Sequence, residues 1–470
     1  MSVIKVDLCV IGGGSGGLSV AAGAVQMGAS VVLLEGAKMG GDCLNYGCVP
    51  SKALLAAGKH AHAMTTGAPF GITPVTPQVD YAAAKRHVKA VVDGIAPHDS
   101  VERFEGLGVQ VITEYGRFIS PREVQAGEHI IRARRFVIST GSSPFVPPIP
   151  GLDTVRHYTN EDIFELQEQP EHLLVIGGGP IGMEMAQAHV RLGSKVTVLE
   201  GLKALGKDDP EMAAIAIERI RAEGVEIVEG AMASEITAEG GITVKTKDGA
   251  SYTGSHLLMA VGRKANTGSL DLDKAGIKYD RPGITVGANL KTSNRRVYAI
   301  GDVAGGLQFT HMAGYHAGIV IRSALFGLPA KSSNAHIPWA TYTDPEMAQV
   351  GLTEAQAKEK HGEAVEVLRF DFAENDRARA ELNTVGLIKV MVVKGRPVGA
   401  SIVGAQAGEL IQVWALVIAN KLKIGAVAAM VSPYPTMGEI NKRAAGAYYT
   451  PRLFESDRVK AIVRFVQKLW

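Results

Sequence analysis

Two of the chain's three cysteines stand five positions apart in GGDCLNYGCVPSK, residues 40–52, as Cys43 and Cys48. Thiols are nucleophiles only as thiolates, and a helix N-terminus or a nearby cation favours that form. Here a helix-forming run, CVPSKALLAAGKHAHAM, begins at Cys48, with Pro50 suited to its first turn and Lys52 close behind. Two residues five apart do not face each other on a regular helix. They meet if the first turn is distorted, and the product is a small-ring disulfide that reopens readily. The other uses of such a pair are burial in a core or half of a metal site. Cys9 sits in an apolar strand, so only two cysteines remain, too few for a thiolate metal site. The pair points to thiol–disulfide redox chemistry.

Something must hold an electron donor beside it. The apolar run 6–11 leads into Gly12, Gly14 and Gly17, spaced GxGxxG, then a small-residue helix over about 18–27 and a second strand, 31–34, ending at Glu35. A glycine pattern between strand and helix lets backbone amides approach a pyrophosphate at the helix N-terminus, and the acid accepts from a ribose diol. The unit recurs in LLVIGGGPIGMEMAQAHVRLGSKVTVLE, with Gly177, Gly179, Gly182 and Glu200. Gly12 to Glu35 and Gly177 to Glu200 are both 23 residues. Glycine turns that serve only packing do not explain two copies with the same acid spacing. The turns VISTGSSP (Thr140, Gly141, Ser142) and LMAVGRKANT (Gly262) close the two units, and VYAIGDVAGG puts Asp302 at a third strand end.

At 470 residues the chain has length for two to four domains, and three cysteines do not make a disulfide framework. A net charge of +2 gives no reason to expect a nucleic-acid partner. No apolar run reaches bilayer length without glycine or charge, and MSVIK leads directly into a strand, so neither a membrane span nor a signal peptide is expected. The expected location is the cytoplasm.

The stretch GGDCLNYGCVPSK resembles the redox motif of the class I pyridine nucleotide–disulfide oxidoreductases, the group that includes dihydrolipoamide dehydrogenase, glutathione reductase and mercuric reductase. The resemblance runs through both fingerprints, the two turns, YAIGDV and a last domain opening IPWATYTDPEMAQVGLT. It implies an α/β fold with two nucleotide-binding Rossmann-like domains and a C-terminal α+β dimerisation domain. The implied division is an FAD-binding domain at 1–150, an NAD(P)-binding domain at 151–276, a central segment completing the FAD domain at 277–336, and an interface domain at 337–470 of a homodimer. It also implies that FAD lies on the first fingerprint, with Glu35 at the adenosine ribose, Asp302 at the ribityl chain, Gly116 lining the adenine and Ala313 near the flavin ring. NAD(H) lies on the second, and Lys52 pairs with Glu184 beside the flavin. Electrons pass from reduced nicotinamide through FAD to a Cys43–Cys48 disulfide. Cys48 is the flavin-side thiol, and Cys43 attacks a small-molecule or protein-bound disulfide substrate. Glu200 suits the 2′-hydroxyl of NAD and repels the 2′-phosphate of NADP(H).

One segment departs from the pattern. Disulfide reductases of this type carry HPTxxE near the C-terminus, contributed by the partner subunit, whose histidine is the acid–base and whose glutamate orients it. Here SPYPTMGE, 432–439, keeps Pro435, Thr436 and Glu439 but has Tyr434 at the histidine position. A phenol with a pKa near 10 is a poor base at neutrality. Mercuric reductase has a tyrosine in this segment but also a C-terminal cysteine pair, and this chain has no cysteine after Cys48. The leading expectation is a dihydrolipoamide dehydrogenase-like disulfide reductase. The alternative is a mercuric-reductase-like enzyme acting on metal ions, quinones or other non-disulfide acceptors. The tail DRVKAIVRFVQKLW, 457–470, has the spacing of a basic amphipathic helix. It is expected to pack on the protein's own dimer, with weak contact to a membrane surface as the alternative.

Overall fold

The structure, a computed structural model, describes residues 2–238 and 240–469, which divide into two compact units. The first comprises residues 1–201 and 228–333. Its main sheet is built on strands β1 (Ser2–Ile11), β2 (Val31–Leu34), β3 (Gln110–Ile112), β4 (Gly116–Ser120), β5 (Glu123–Ala126) and β6 (His129–Ile138), in the order β3-β2-β1-β6-β5-β4. β3, β2, β1 and β6 run parallel, and the strand Val297–Ala299 adds parallel to β6. Segment 277–336 thus contributes a strand to the sheet that opens the chain.

Strands in a parallel sheet are covered on both faces, so alternate residues enter different cores. Cys9, Ile11, Val32, Leu34, Phe136 and Ile138 enter one core with Phe118 and Val303. Leu8, Val10, Leu33 and Val137 enter the other, under helix α1 (Ser15–Gln26) and the helix Thr310–Ala324. Small residues on α1 allow close helix packing: a side chain at Gly23 would meet Ile321.

The second fingerprint lies in another parallel sheet containing His172–Ile176, Lys195–Glu200 and His256–Met259. Its helix, Pro180–Arg191, is buried from Gly182 through His189. A Cβ at Gly58 would stand 3.2 Å from the Ala188 carbonyl, so glycine there brings the two backbones close.

The second unit comprises residues 202–227 and 334–470. Its five-stranded antiparallel sheet runs Pro338–Thr341, Glu346–Gly351, Arg396–Gly404, Leu387–Val393, Val365–Asp371. Trp414, Val417, Ile440 and Ala444 come from helices packed on it. Segment 202–227 joins this unit through charge as well as packing. Buried Lys389 holds Asp209 at 2.8 Å, Glu354 at 2.9 Å and Glu211 at 3.1 Å. Among the described residues no helix is long and apolar enough to cross a membrane.

Candidate active site

The redox motif is attached to the first fingerprint by backbone. Gly40 N–H donates to the Gly13 carbonyl at 2.9 Å, and a Cβ on Gly41 would stand 2.7 Å from Gly14 Cα. A short helix α2 (Gly41–Asn45) then breaks at Tyr46–Gly47, and helix α3 (Cys48–Thr65) restarts with Gly47 as its N-cap. That break is the distortion which lets the two thiols meet. They are unbridged, and Cys43 hydrogen-bonds to Cys48.

Electrostatics separates their roles. The hydrogen bond from Cys43 pulls the Cys48 thiol down to about 6, helped by Thr310 and by the Lys52 ammonium. Cys43 moves in the opposite direction, because its proton is held by Cys48 and because it is partly buried. The charge therefore resides on Cys48, in the first turn of α3, and the proton on Cys43. Thr310, at the start of its own helix, places its hydroxyl 3.3 Å from the Cys48 sulfur. Lys52 donates to Glu184 at 2.7 Å, from α3 to the helix of the second fingerprint, and the Glu184 side chain is only 6% exposed. Cys9 is fully buried, which pushes its thiol up and leaves it inert.

The two fingerprints repeat one another atom for atom where packing matters. A Cβ at Gly12 would lie 2.5 Å from the Ser139 carbonyl, and one at Gly177 lies as close to Ala260. Side chains at Gly17 and Gly182 would strike the Gly12 and Gly177 carbonyls. The middle glycines differ. Nothing lies within 4 Å of a Cβ at Gly179, and at Gly14 the nearest atom is at 3.8 Å. These two are N-caps without a side-chain hydrogen bond, so no capping side chain covers either helix start. Glu35 accepts from Gly13 N–H at 2.6 Å and Ala37 N–H at 2.7 Å, and Glu200 accepts from Gly178 N–H at 2.7 Å. An open amide cradle with a carboxylate at the next strand end fits a dinucleotide in both places.

The remaining expected residues gather around this frame. Asn266 bonds the Thr140 carbonyl and hydroxyl and the Gly141 carbonyl, at 2.8 to 3.0 Å. Arg263–Ala265, which follows Gly262, pairs antiparallel with Ser142–Pro144. The two turns that close the nucleotide units are therefore one ribbon. The Ser142 hydroxyl donates to Asp302 at 2.6 Å, and burial raises the Asp302 carboxyl despite that bond. Gly116 is buried where any side chain would press on Leu34, and Ala313 lies against Gly16 and Gly301.

Sequence reasoning missed the side chains that tie these parts together. Arg263 donates to the Ser142 hydroxyl and carbonyl at 2.7 Å each and to Asp42 at 2.9 Å. Asn160 donates to Asp42 and to the Tyr46 carbonyl, both at 3.1 Å. The loop carrying the cysteines is thereby bonded to the ribbon whose Ser142 hydroxyl donates to Asp302. Arg263 lay inside a quoted motif and Asp42 beside Cys43, but their partners are over a hundred residues away. Tyr115, whose ring lies against Gly36, was also missed.

Tyr434 and Glu439 stand in the other compact unit. The phenol is 70% exposed and donates to Asp376 at 3.0 Å. That bond, with the charge of Asp376, raises the phenol further above its ordinary value. Glu439 opens the helix Glu439–Gly446 and adds a weaker push in the same direction. Tyr434 is thus held as a protonated donor to Asp376, a residue outside the HPTxxE-like segment.

Residues 6–317 match the model of the pyridine nucleotide-disulphide oxidoreductases, and residues 337–445 match the dimerisation domain of the same group. The chain belongs to this family. These oxidoreductases use FAD and NAD(P)H and carry a disulfide redox centre, in agreement with the two cradles and the thiol pair between them. Mercuric reductase of Bacillus cereus is 35% identical over 445 residues, covering 92% of this chain and 70% of that protein. Dihydrolipoyl dehydrogenase of Bacillus subtilis is 30% identical, covering 92% and 96%. Among solved structures, the Cu(II) complex of RclA, an HOCl-induced flavoprotein disulfide reductase of Escherichia coli, has a TM-score of 0.83 at 29% identity, covering 93% of this oxidoreductase and 99% of RclA.

Proposed function

We propose that this flavoprotein transfers electrons from NADH to a disulfide substrate through Cys43 and Cys48, in the manner of dihydrolipoamide dehydrogenase. The supporting observation is the polarised thiol pair, charged at Cys48 and protonated at Cys43, next to the Lys52–Glu184 pair. Bound FAD would supply the relay of two electrons between nicotinamide and the cysteines. The residues to hold it are Gly12, Gly14, Gly17, Glu35, Gly116, Thr140, Gly141, Ser142, Asp302 and Ala313. Those to hold NADH are Gly177, Gly179, Gly182, Glu200 and Gly262.

On the substrate side, Cys43 passes its proton along the hydrogen bond to Cys48 and attacks one substrate sulfur. The substrate S–S bond breaks, a mixed disulfide forms and one thiolate leaves. Cys48 then displaces the second substrate sulfur from Cys43, which closes the Cys43–Cys48 disulfide. The departing thiolates take up two protons, one released by Cys48 as it attacks and one from solvent. In a homodimer built on the 337–445 module, Tyr434 and Glu439 would be presented to the partner's cysteines. There a phenol already bonded to Asp376 donates a hydrogen bond but does not take up a proton near neutrality.

That limit favours a second reading, in which the acceptor is a metal ion, whose reduction takes up no proton, or another non-disulfide acceptor such as a quinone. The tyrosine, the mercuric reductase relatives and the Cu(II) complex of RclA all support it. Steady-state assays distinguish the readings. NADH should give a higher kcat/KM than NADPH, and Glu200→Ala should narrow that preference, because the carboxylate repels a 2′-phosphate. With NADH saturating, lipoamide or another disulfide should turn over faster than metal ions or quinones. A reversed acceptor order establishes the second reading, and a preference for NADPH removes the argument from Glu200.

A further inference from the structure

We propose that the C-terminal helix Asp457–Val466 is a membrane-surface anchor that lays its apolar face into an anionic phospholipid bilayer. The helix is a defined element, with the Ser456 hydroxyl accepting from Val459 N–H at its start. None of its residues is buried. Ile462 is 56% exposed, Val463 52%, Phe465 63% and the following Leu469 66%. Large apolar side chains at such exposure are ordinary when scattered, but here they lie together. At helical spacing Val459, Ile462, Val463 and Val466 share one face, with Phe465 and Leu469 along its edge, while Lys460, Arg464 and Lys468 lie on the opposite side.

Charge selects the occupant. The segment from Asp457 to Leu469 carries four cations, Arg458, Lys460, Arg464 and Lys468, against one carboxylate, Asp457. A basic polar face with aromatic and aliphatic residues opposite is the composition of helices that lie in the headgroup region. Juxtaposed basic residues are drawn to anionic leaflets. Ten helical residues are about half of what a bilayer crossing requires, so the helix lies in the interface rather than spanning it. The match to the family's dimerisation domain ends at residue 445, before this helix begins.

The test is co-sedimentation of the FAD-loaded protein with vesicles of phosphatidylglycerol and phosphatidylcholine, and with pure phosphatidylcholine, at low and high salt. The full-length protein should pellet with the anionic vesicles at low salt, release at high salt and remain soluble with the neutral ones. Lys460→Glu/Arg464→Glu/Lys468→Glu should weaken binding by about a hundredfold. Ile462→Asp/Phe465→Asp should abolish it, and NADH oxidation should be unchanged in both. Light scattering on the same variants supplies the second measurement. Failure of the wild-type protein to bind anionic vesicles overturns the proposal, as does binding unaffected by either set of substitutions. Loss of the dimer in the apolar variant also overturns it, by assigning the face to a second copy of the chain.

Discussion

Cys48→Ser is expected to abolish disulfide turnover and the long-wavelength absorbance of a thiolate beside oxidised flavin, whereas Cys43→Ser should keep the absorbance and lose only turnover. The asymmetry follows from the hydrogen bond between the thiols, which concentrates charge on Cys48 and leaves Cys43 protonated. Removing either sulfur eliminates the dithiol, so turnover should fall by about 10³-fold or more in both variants. The pH dependence has a definite sign. A thiol held down to about 6 is ionised above that value, so the band should be constant from neutral pH upward and fade as pH falls through about 6. Cys43→Ala removes the largest cause of the depression, and its midpoint should move upward. Equal loss of the band in both serine variants would refute this division of roles.

Tyr434→His should raise disulfide turnover substantially. General acid–base catalysis supplies about 10²–10⁴-fold, so even a partial gain is measurable. The new imidazole would find two carboxylates nearby, Asp376, which now accepts from the phenol at 3.0 Å, and Glu439. A titration near neutrality should appear in the pH profile for disulfide reduction, because imidazole ionises there and a phenol does not. Reduction by NADH should be unchanged, since that half-reaction takes place away from the substrate side of the thiols. A flat disulfide rate combined with loss of metal-ion or quinone reduction would show that the tyrosine is adapted to such an acceptor.

The parts of this protein legible in its sequence are those whose determinants are local. The first fingerprint shows its strand, its glycines and its acid within a few dozen residues, and the structure places strand β2 on the same residues, Val31–Leu34, that the short apolar run before Glu35 indicates. The beginning of α3 at Cys48 was legible from Pro50 and the helix-forming run behind it. The break at Tyr46–Gly47 was inferred only as something the cysteines require, because its cause is partly tertiary: Asn160 bonds the Tyr46 carbonyl from 114 residues away. Arg263 and Asp42 were overlooked for the same reason, since nothing at either position announces a partner 221 residues distant. The partner of Tyr434 was not legible either: its hydroxyl donates to Asp376, from a short helix with no motif to mark it. The tail helix was readable as amphipathic from its period, but that none of its residues is buried was not.

Anaerobic titration with NADH tests most directly the claim that Cys43 and Cys48 are the working redox centre. The account expects the first equivalent to leave the flavin oxidised and to develop the long-wavelength thiolate band, with bleaching of the flavin only as the second is added. Cys48→Ser should bleach with the first equivalent. If the wild-type flavin bleaches with the first equivalent and no band develops, the cysteines are not in redox contact with it, and the central claim fails.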